Sequence, residues 1–313
     1  KASFAKTKGR GKTCSMTKAF SESVQFATEK FLNLITKSRP APFVNFQELM
    51  NRPKILVCMK WGDKYGPEYV NRLYAAAKTY VTGDFSFACL TDDRSGLDPA
   101  ILSYPIPELG CTPPTKTRGK WKKVALWGKE IEQYLNGTVL FLDLDSIILD
   151  NIDCYFNFGD PEDIILERNW ARPLSGLGQT SVFRFPIGAH PDILAIFQKD
   201  PQAIADRFQF EQHYITHSTK KFLKFWPRGW TRHFRLHCLG PMPWRLFRPA
   251  VIPKGSRIIT FPGGPNPSEA MVGKWSPTSP PYQGRRSHLL RVWKERQLSL
   301  LRKFIMPTPW IET

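Results

Sequence analysis

The run Thr138-Val139-Leu140-Phe141-Leu142-Asp143-Leu144-Asp145-Ser146-Ile147-Ile148-Leu149 places two carboxylates inside an otherwise apolar stretch. Unbroken apolar and β-branched residues predict a buried strand over 138–149. An unpaired carboxylate is expensive to bury, so packing gives no reason for acids there. On a strand, Asp143 and Asp145 share one face and Leu144 takes the other. Two carboxylates so placed can hold one hard divalent cation, and open α/β sheets bind ligands at the carboxyl edge. The plainer alternative is a strand end running into a turn, with both acids in water. The apolar flanks Val139–Leu142 and Ile147–Leu149 weigh against it.

Other residues suit the same chemistry. Lys120, Lys122 and Lys123 open a helix expected over 121–135, closed by Asn136-Gly137. Lysines at a helix start oppose the dipole and point to an anionic partner; a solvated face is the alternative for Lys120 and Lys122. Trp61, Gly62 and Tyr65 follow a strand expected over 54–59. Their aromatic planes and backbone suit a nucleobase, or Trp61 simply plugs the sheet edge. Asp92 and Asp93 end a strand over 85–90 and either bind ribose hydroxyls or cap the next segment.

The elements needed to position these residues alternate. A helix is expected at 67–80, a short strand at 101–105, and further strands at 163–166, 181–185 and 258–261. Alternating strands and helices predict an α/β fold with a largely parallel sheet. Three segments follow: a basic amino-terminal arm and helix over 1–50, a catalytic domain over 51–270 and a basic carboxyl-terminal extension over 271–313. Gly11-Lys12-Thr13 does not make a phosphate loop, because Lys6 stands where its first Gly belongs.

The formal net charge of +18 points to an anionic partner: nucleic acid, a membrane surface, or a phosphorylated or acidic ligand. Between Glu211 and Glu269 there are ten Lys or Arg and no acid, interleaved with aromatics such as Phe225, Trp226 and Trp230. This 220–257 segment could cradle an anionic acceptor or a diphosphate. No compact nucleic-acid-binding motif accompanies it. A helix over 287–304, with Trp293 and Phe304 against Arg291 and Lys303, could lie on an anionic membrane or pack on the core. No stretch is apolar enough to span a bilayer. Six cysteines with no C-x-x-C pair suit a reducing compartment, and no secretory signal is read at an amino end that begins without Met.

Taken in order, several stretches resemble GT-A glycosyltransferases, nucleotide-sugar enzymes of the bacterial lipopolysaccharide galactosyltransferase and glycogenin type. They are Trp61-Gly62-Asp63-Lys64-Tyr65, Lys120-Trp121-Lys122-Lys123, Phe141-Leu142-Asp143-Leu144-Asp145, Gln179-Thr180-Ser181-Val182-Phe183, Glu211-Gln212, Phe261-Pro262-Gly263-Gly264-Pro265-Asn266-Pro267 and Pro307-Thr308-Pro309-Trp310-Ile311. The resemblance covers about 54–313 and implies one Rossmann-like, mostly parallel sheet flanked by helices. It implies a hexosyltransferase-like enzyme of polysaccharide biosynthesis, moving a sugar from a UDP- or GDP-linked donor to a glycan or lipid-linked acceptor. By the resemblance, Asp143 and Asp145 hold Mn2+ or Mg2+ on the donor diphosphate, with Asp143 nearer the ribose. Trp61, Gly62, Tyr65, Asp92, Lys120 and Lys123 contact the nucleotide, and Gln179, Glu211 and Gln212 the transferred sugar. A third metal ligand, a His after a late strand, is absent from 260–264, and His237 is the substitute. Its absence leaves an inactive binding subunit as one rival reading; a nucleic-acid-binding α/β protein is the other. The expected location is cytoplasmic, peripheral on the inner membrane face.

Overall fold

A computed structural model describes residues 53–117, 119–240 and 250–274. The basic arm, the helix expected at 287–304 and the closing Pro307–Ile311 motif lie outside them. Strand β1 (Ile55–Lys60) is followed by helix α1 (Pro67–Tyr80), β2 (Ser86–Thr91) and β3 (Leu102–Tyr104). Two 3₁₀ segments, Trp121–Trp127 and Lys129–Gln133, lead into β4 (Thr138–Leu142) and β5 (Ile147–Ile148). Then come α2 (Asp153–Asn157), β6 (Ile164–Arg168), β7 (Gly178–Pro186) and three helices, α3 (Asp192–Lys199), α4 (Pro201–Phe208) and α5 (Glu211–Ser218). The described part closes with β8 (Leu223–Phe225), β9 (Thr231–His233), a π-helix Phe234–Cys238, β10 (Ile258–Thr260) and α6 (Pro267–Met271).

Seven strands form one sheet in the order β3-β2-β1-β4-β7-β6-β8, and β5-β10-β9 form a second. The large sheet is parallel except for β7, which runs antiparallel to both β4 and β6. It is a mixed α/β fold with helices on the sheet, as expected. Alternate residues of each strand feed opposite cores, and both faces are covered. Val57, Met59, Phe141 and Phe183 face Trp121, Trp127, Phe197 and Tyr214. Leu56, Cys58, Leu140 and Val182 face Val70, Leu73 and Trp226. Burial on both faces is why these strands read as continuous apolar runs.

Two expectations are corrected. The stretch 138–149 is not one strand. β4 stops at Leu142, the Ser146 amide donates to the Asp143 carbonyl at 3.0 Å, and β5 pairs with β10 in the other sheet. Asp143 and Asp145 therefore lie on a turn joining two sheets, not on a shared strand face. The apolar flanks are real, because each is buried in its own sheet. Nor is 121–135 one helix. Gly128 takes an extended conformation (φ −73°, ψ 161°) between the two 3₁₀ segments. A Cβ there would come within 2.7 Å of Leu194 Cδ2, so α3 packs directly on the break. Among the described residues no helix is long and apolar enough to cross a membrane. Cys58, Cys89, Cys111, Cys154 and Cys238 are free thiols.

Candidate functional site

The turn after β4 emerges at the carboxyl edge of the large sheet, with β1 on one side and β7 on the other. The Asp143 amide donates to the Ser181 carbonyl at 2.8 Å, which carries the β4–β7 ladder one residue into the turn. The Asp143 side chain meets Lys123, whose Nζ lies 2.9 Å from Oδ1 and 2.7 Å from the Thr180 carbonyl. Lys123 is 5% exposed and sits over the Phe141 and Phe183 rings, at 4.7 and 5.7 Å. An ammonium buried this far needs all of these partners. Behind it, Glu211 Oε2 accepts a bond from the Thr180 hydroxyl at 2.8 Å. Burial raises the Glu211 carboxyl, while Lys123 and the Thr180 bond pull it back and Asp143 adds to the rise. Its Oε1 is buried without a hydrogen-bond partner.

Asp145 is approached from the β1 side. The Tyr65 hydroxyl donates to Asp145 Oδ2 at 3.0 Å, and Lys64 Nζ lies 2.8 Å from that hydroxyl and 4.4 Å from the ring centre. Burial, then the Asp143 charge, raises the Asp145 carboxyl to about 6, against the opposing effects of the Tyr65 bond, Lys64 and Lys123. Burial and the neighbouring Asp143 thus disfavour a charge on Asp145. A divalent cation at the pair would relieve this, so Asp143 and Asp145 fit as two ligands of a hard cation. Mg2+ in particular is held by one or two carboxylates, with phosphate oxygens and water completing the shell.

His237 does not join them. Among the described residues no three or more His, Cys, Asp or Glu are grouped as a metal site. His237 Nδ1 accepts from the His233 amide at 2.9 Å. In a neutral ring so used the proton sits on Nε2, leaving no lone pair there for a cation. His237 instead stands beside Trp170.

The other expected contacts line the same edge. The Gly62 amide donates to Asp92 Oδ2 at 3.2 Å, which ties the β1 loop to the end of β2. Gly62 is left-handed (φ +59°), a conformation open to glycine. Trp61 packs half-buried against the core that holds Met59, Trp121 and Phe141. Asp92 and Lys122 line a cleft of about 980 Å³ with Arg94 and the 105–111 loop. Lys120 is exposed. Gln179 is buried, and its Oε1 accepts from the Thr180 amide at 3.2 Å. Gln212 lies half-buried in the first turn of α5, and its carbonyl accepts from the Thr216 hydroxyl. Asp143, Asp145, Tyr65, Lys123 and Glu211 are thus gathered into one network, and Trp61, Gly62 and Asp92 stand beside it. Sequence reasoning did not single out Glu167, a buried carboxyl whose Oε2 has no hydrogen-bond partner. Glu167 follows Ile164-Ile165-Leu166, an acid after an apolar run, which is the signal that Asp143 gives.

No family model matches the chain, and no curated protein does. Solved structures do resemble it in fold. One is the galactosyltransferase LgtC in complex with donor and acceptor sugar analogs, at 13% identity and a TM-score of 0.48, covering 68% of this chain and 88% of that one. Another is the bifunctional glycosyltransferase WbbM, at 9% identity and 0.48, covering 69% of this chain and 47% of that one, so this chain spans about half its length. A third is mouse xyloside xylosyltransferase 1, at 12% identity and 0.42, covering 67% and 98%. Likeness at these identities is one of fold, and the functional reading rests on the residues of the aspartate turn.

Proposed function

We propose that the chain is a metal-assisted glycosyltransferase that moves a sugar from a UDP- or GDP-linked donor to a glycan or lipid-linked acceptor. One observation carries this reading: two carboxylates on one turn at the carboxyl edge of an α/β sheet, with a buried lysine on Asp143 and a tyrosine on Asp145. In the reaction the bond from the sugar's anomeric carbon to the diphosphate breaks, and a bond to an acceptor oxygen forms. Negative charge grows on the leaving diphosphate. Mn2+ or Mg2+ held by Asp143 and Asp145 would supply the neutralising charge there. Lys123 holds Asp143 in place through its carboxylate and the Thr180 carbonyl. Tyr65 does the same for Asp145 and offers an aromatic surface to the nucleotide. Trp61, Gly62, Asp92 and Lys120 complete the nucleotide contacts, and Gln179, Glu211 and Gln212 face the transferred sugar.

The test is thermal melting with UDP or GDP, with and without Mn2+. A ligand at a hundred times its Kd stabilises a fold by about 2.7 kcal/mol. The wild-type Tm should rise only when nucleotide and metal are both present. Asp145→Asn should abolish that rise while keeping the fold, since it removes a carboxylate that burial already disfavours. An unchanged nucleotide shift in Asp145→Asn would sink the reading. Metal-dependent binding without turnover of any donor would make the chain a binding subunit instead.

A further inference from the structure

Strands β1 to β4 run parallel, so their carboxyl ends share one edge of the large sheet. The cleft of about 980 Å³ opens at that edge, between the end of β2 and the loop after β3. Its walls are largely apolar, from Pro105, Ile106, Leu109 and Pro113. Its charged groups come from three places. Asp92 and Arg94 follow β2, Glu108 lies in the loop after β3, and Lys122 belongs to the first 3₁₀ segment. The turn that carries Arg94 is closed by the Thr91 hydroxyl on the Asp93 carbonyl at 2.8 Å and by the Ser95 amide on Asp93 Oδ1 at 2.9 Å. The backbone of Glu108 is held by its amide, which donates to Glu130 Oε2 at 3.0 Å. The side chains of Arg94 and Glu108 are exposed. Among the described residues neither is ion-paired, although both line the same cleft. The two therefore stand farther apart than an ion pair, with open space between them.

We propose that this cleft takes the base of the donor nucleotide and that the base is guanine, which makes the donor GDP-linked. The inference rests on the glycosyltransferase reading and chooses between the two donors which that reading leaves open. A diphosphate at the aspartate turn sends its nucleoside along the edge, over the end of β1. The end of β2 lies two strand spacings from β4, about 10 Å, within reach of a ribose and its base. Asp92, tied to the β1 loop through the Gly62 amide, then meets the ribose, and Glu108 and Arg94 meet the base. Guanine presents two neighbouring donors, N1–H and the N2 amino group, which one carboxylate accepts together. It also presents two neighbouring acceptors, O6 and N7, which one guanidinium fills. Glu108 and Arg94 supply that pair of groups from separate walls of the cleft. Uracil has a single N3–H between two carbonyl oxygens. A carboxylate that takes the N–H sets its second oxygen against one of those carbonyls. Adenine has an amino group where guanine has O6, and its N1 is an acceptor, so both the carboxylate and the guanidinium are mismatched. The proline and aliphatic walls suit the flat faces of a purine.

The experiment is isothermal titration of the full chain with GDP, UDP and ADP in Mn2+, and with guanosine 5′-monophosphate in the absence of metal. GDP should bind roughly tenfold or more tighter than UDP or ADP, the order by which a bidentate contact discriminates between bases. Glu108→Gln and Arg94→Gln should each weaken GDP roughly fivefold or more, while UDP changes less than about twofold. Both side chains are exposed, so each variant keeps the fold. Guanosine 5′-monophosphate should bind more weakly than GDP, and Glu108→Gln should weaken it further. UDP or ADP binding as tightly as GDP would overturn the proposal and leave the transferase reading standing. So would a GDP preference that neither variant reduces. Guanosine 5′-monophosphate binding that Glu108→Gln weakens, with no metal-dependent binding of any diphosphate, would keep the guanine site and remove the transferase reading. No binding of any of these nucleotides would remove both.

Discussion

The side chains of this edge are set by buried charge and its compensation. Lys123 is kept charged inside the core by Asp143, a carbonyl and two ring faces, and Glu211 shares that network through Thr180. Glu167 has less help, and it makes a pH prediction with a definite sign. Its folded carboxyl titrates at about 8, above its ordinary 4.5. Between those values the folded state binds more protons than the unfolded one. The stability that protonation lends is complete below the window and is lost as pH rises through it. Glu167→Gln keeps the shape and removes the titration. Its Tm should vary less than the wild type's from about pH 5 to 9, and should exceed it at the alkaline end. Parallel Tm profiles for the two proteins would show that Glu167 does not titrate in this range.

At the scale of elements, the break at Gly128 bears on where Lys123 sits, and a buried arginine holds α2 to the sheet. Gly128 ends the first 3₁₀ segment so that α3 can lie against it, and the segment delivers Lys123 to the sheet while Lys122 stays outside. On the opposite face, Arg184 of β7 is 1% exposed and anchors the end of α2. Its Nη1 donates to the Tyr155 and Phe156 carbonyls at 3.2 and 2.8 Å, and its Nη2 to the Asp160 carbonyl at 2.6 Å. Arg184→Met should leave those carbonyls unpaired and destabilise the protein by about 3 kcal/mol or more. The urea midpoint reads this, with the slope unchanged if only stability moves. A midpoint within about 0.5 kcal/mol of wild type, the range of ordinary surface substitutions, would mean that water replaces the guanidinium without loss.

For the whole molecule, the net charge of +18 makes a prediction independent of the site. Each basic residue close to an anionic leaflet contributes about 1 kcal/mol. We expect the full chain to co-sediment with phosphatidylserine-containing vesicles more than with neutral phosphatidylcholine vesicles, and the difference to shrink as salt rises. Deleting residues 285–306, which carry Arg285, Arg286, Arg291, Lys294, Arg302 and Lys303, should remove most of it. Equal pelleting with both lipids would leave this basic segment without a membrane role.

The sequence alone determined the alternation of the fold, and it singled out the two aspartates that we propose as its chemical centre. Both signals are local: β1, α1 and β2 fall within a residue or so of expectation because their apolar periodicity survives in any context, and an acid within an apolar run is visible without coordinates. It also showed the charge excess, which is a sum over residues. Three things were decided only by tertiary structure. The turn at Asp143–Ser146 depends on β5 pairing with β10, more than a hundred residues away, and no local pattern distinguishes one long buried strand from two short ones in different sheets. The 3₁₀ break at Gly128 depends on a close approach of α3 that only packing creates. The place of His237 depends on its ring accepting the His233 amide. Spacing along a chain tells which residues can share a face. Which partners reach a buried donor or carboxylate is settled by long-range packing, and that sets its charge and its chemistry.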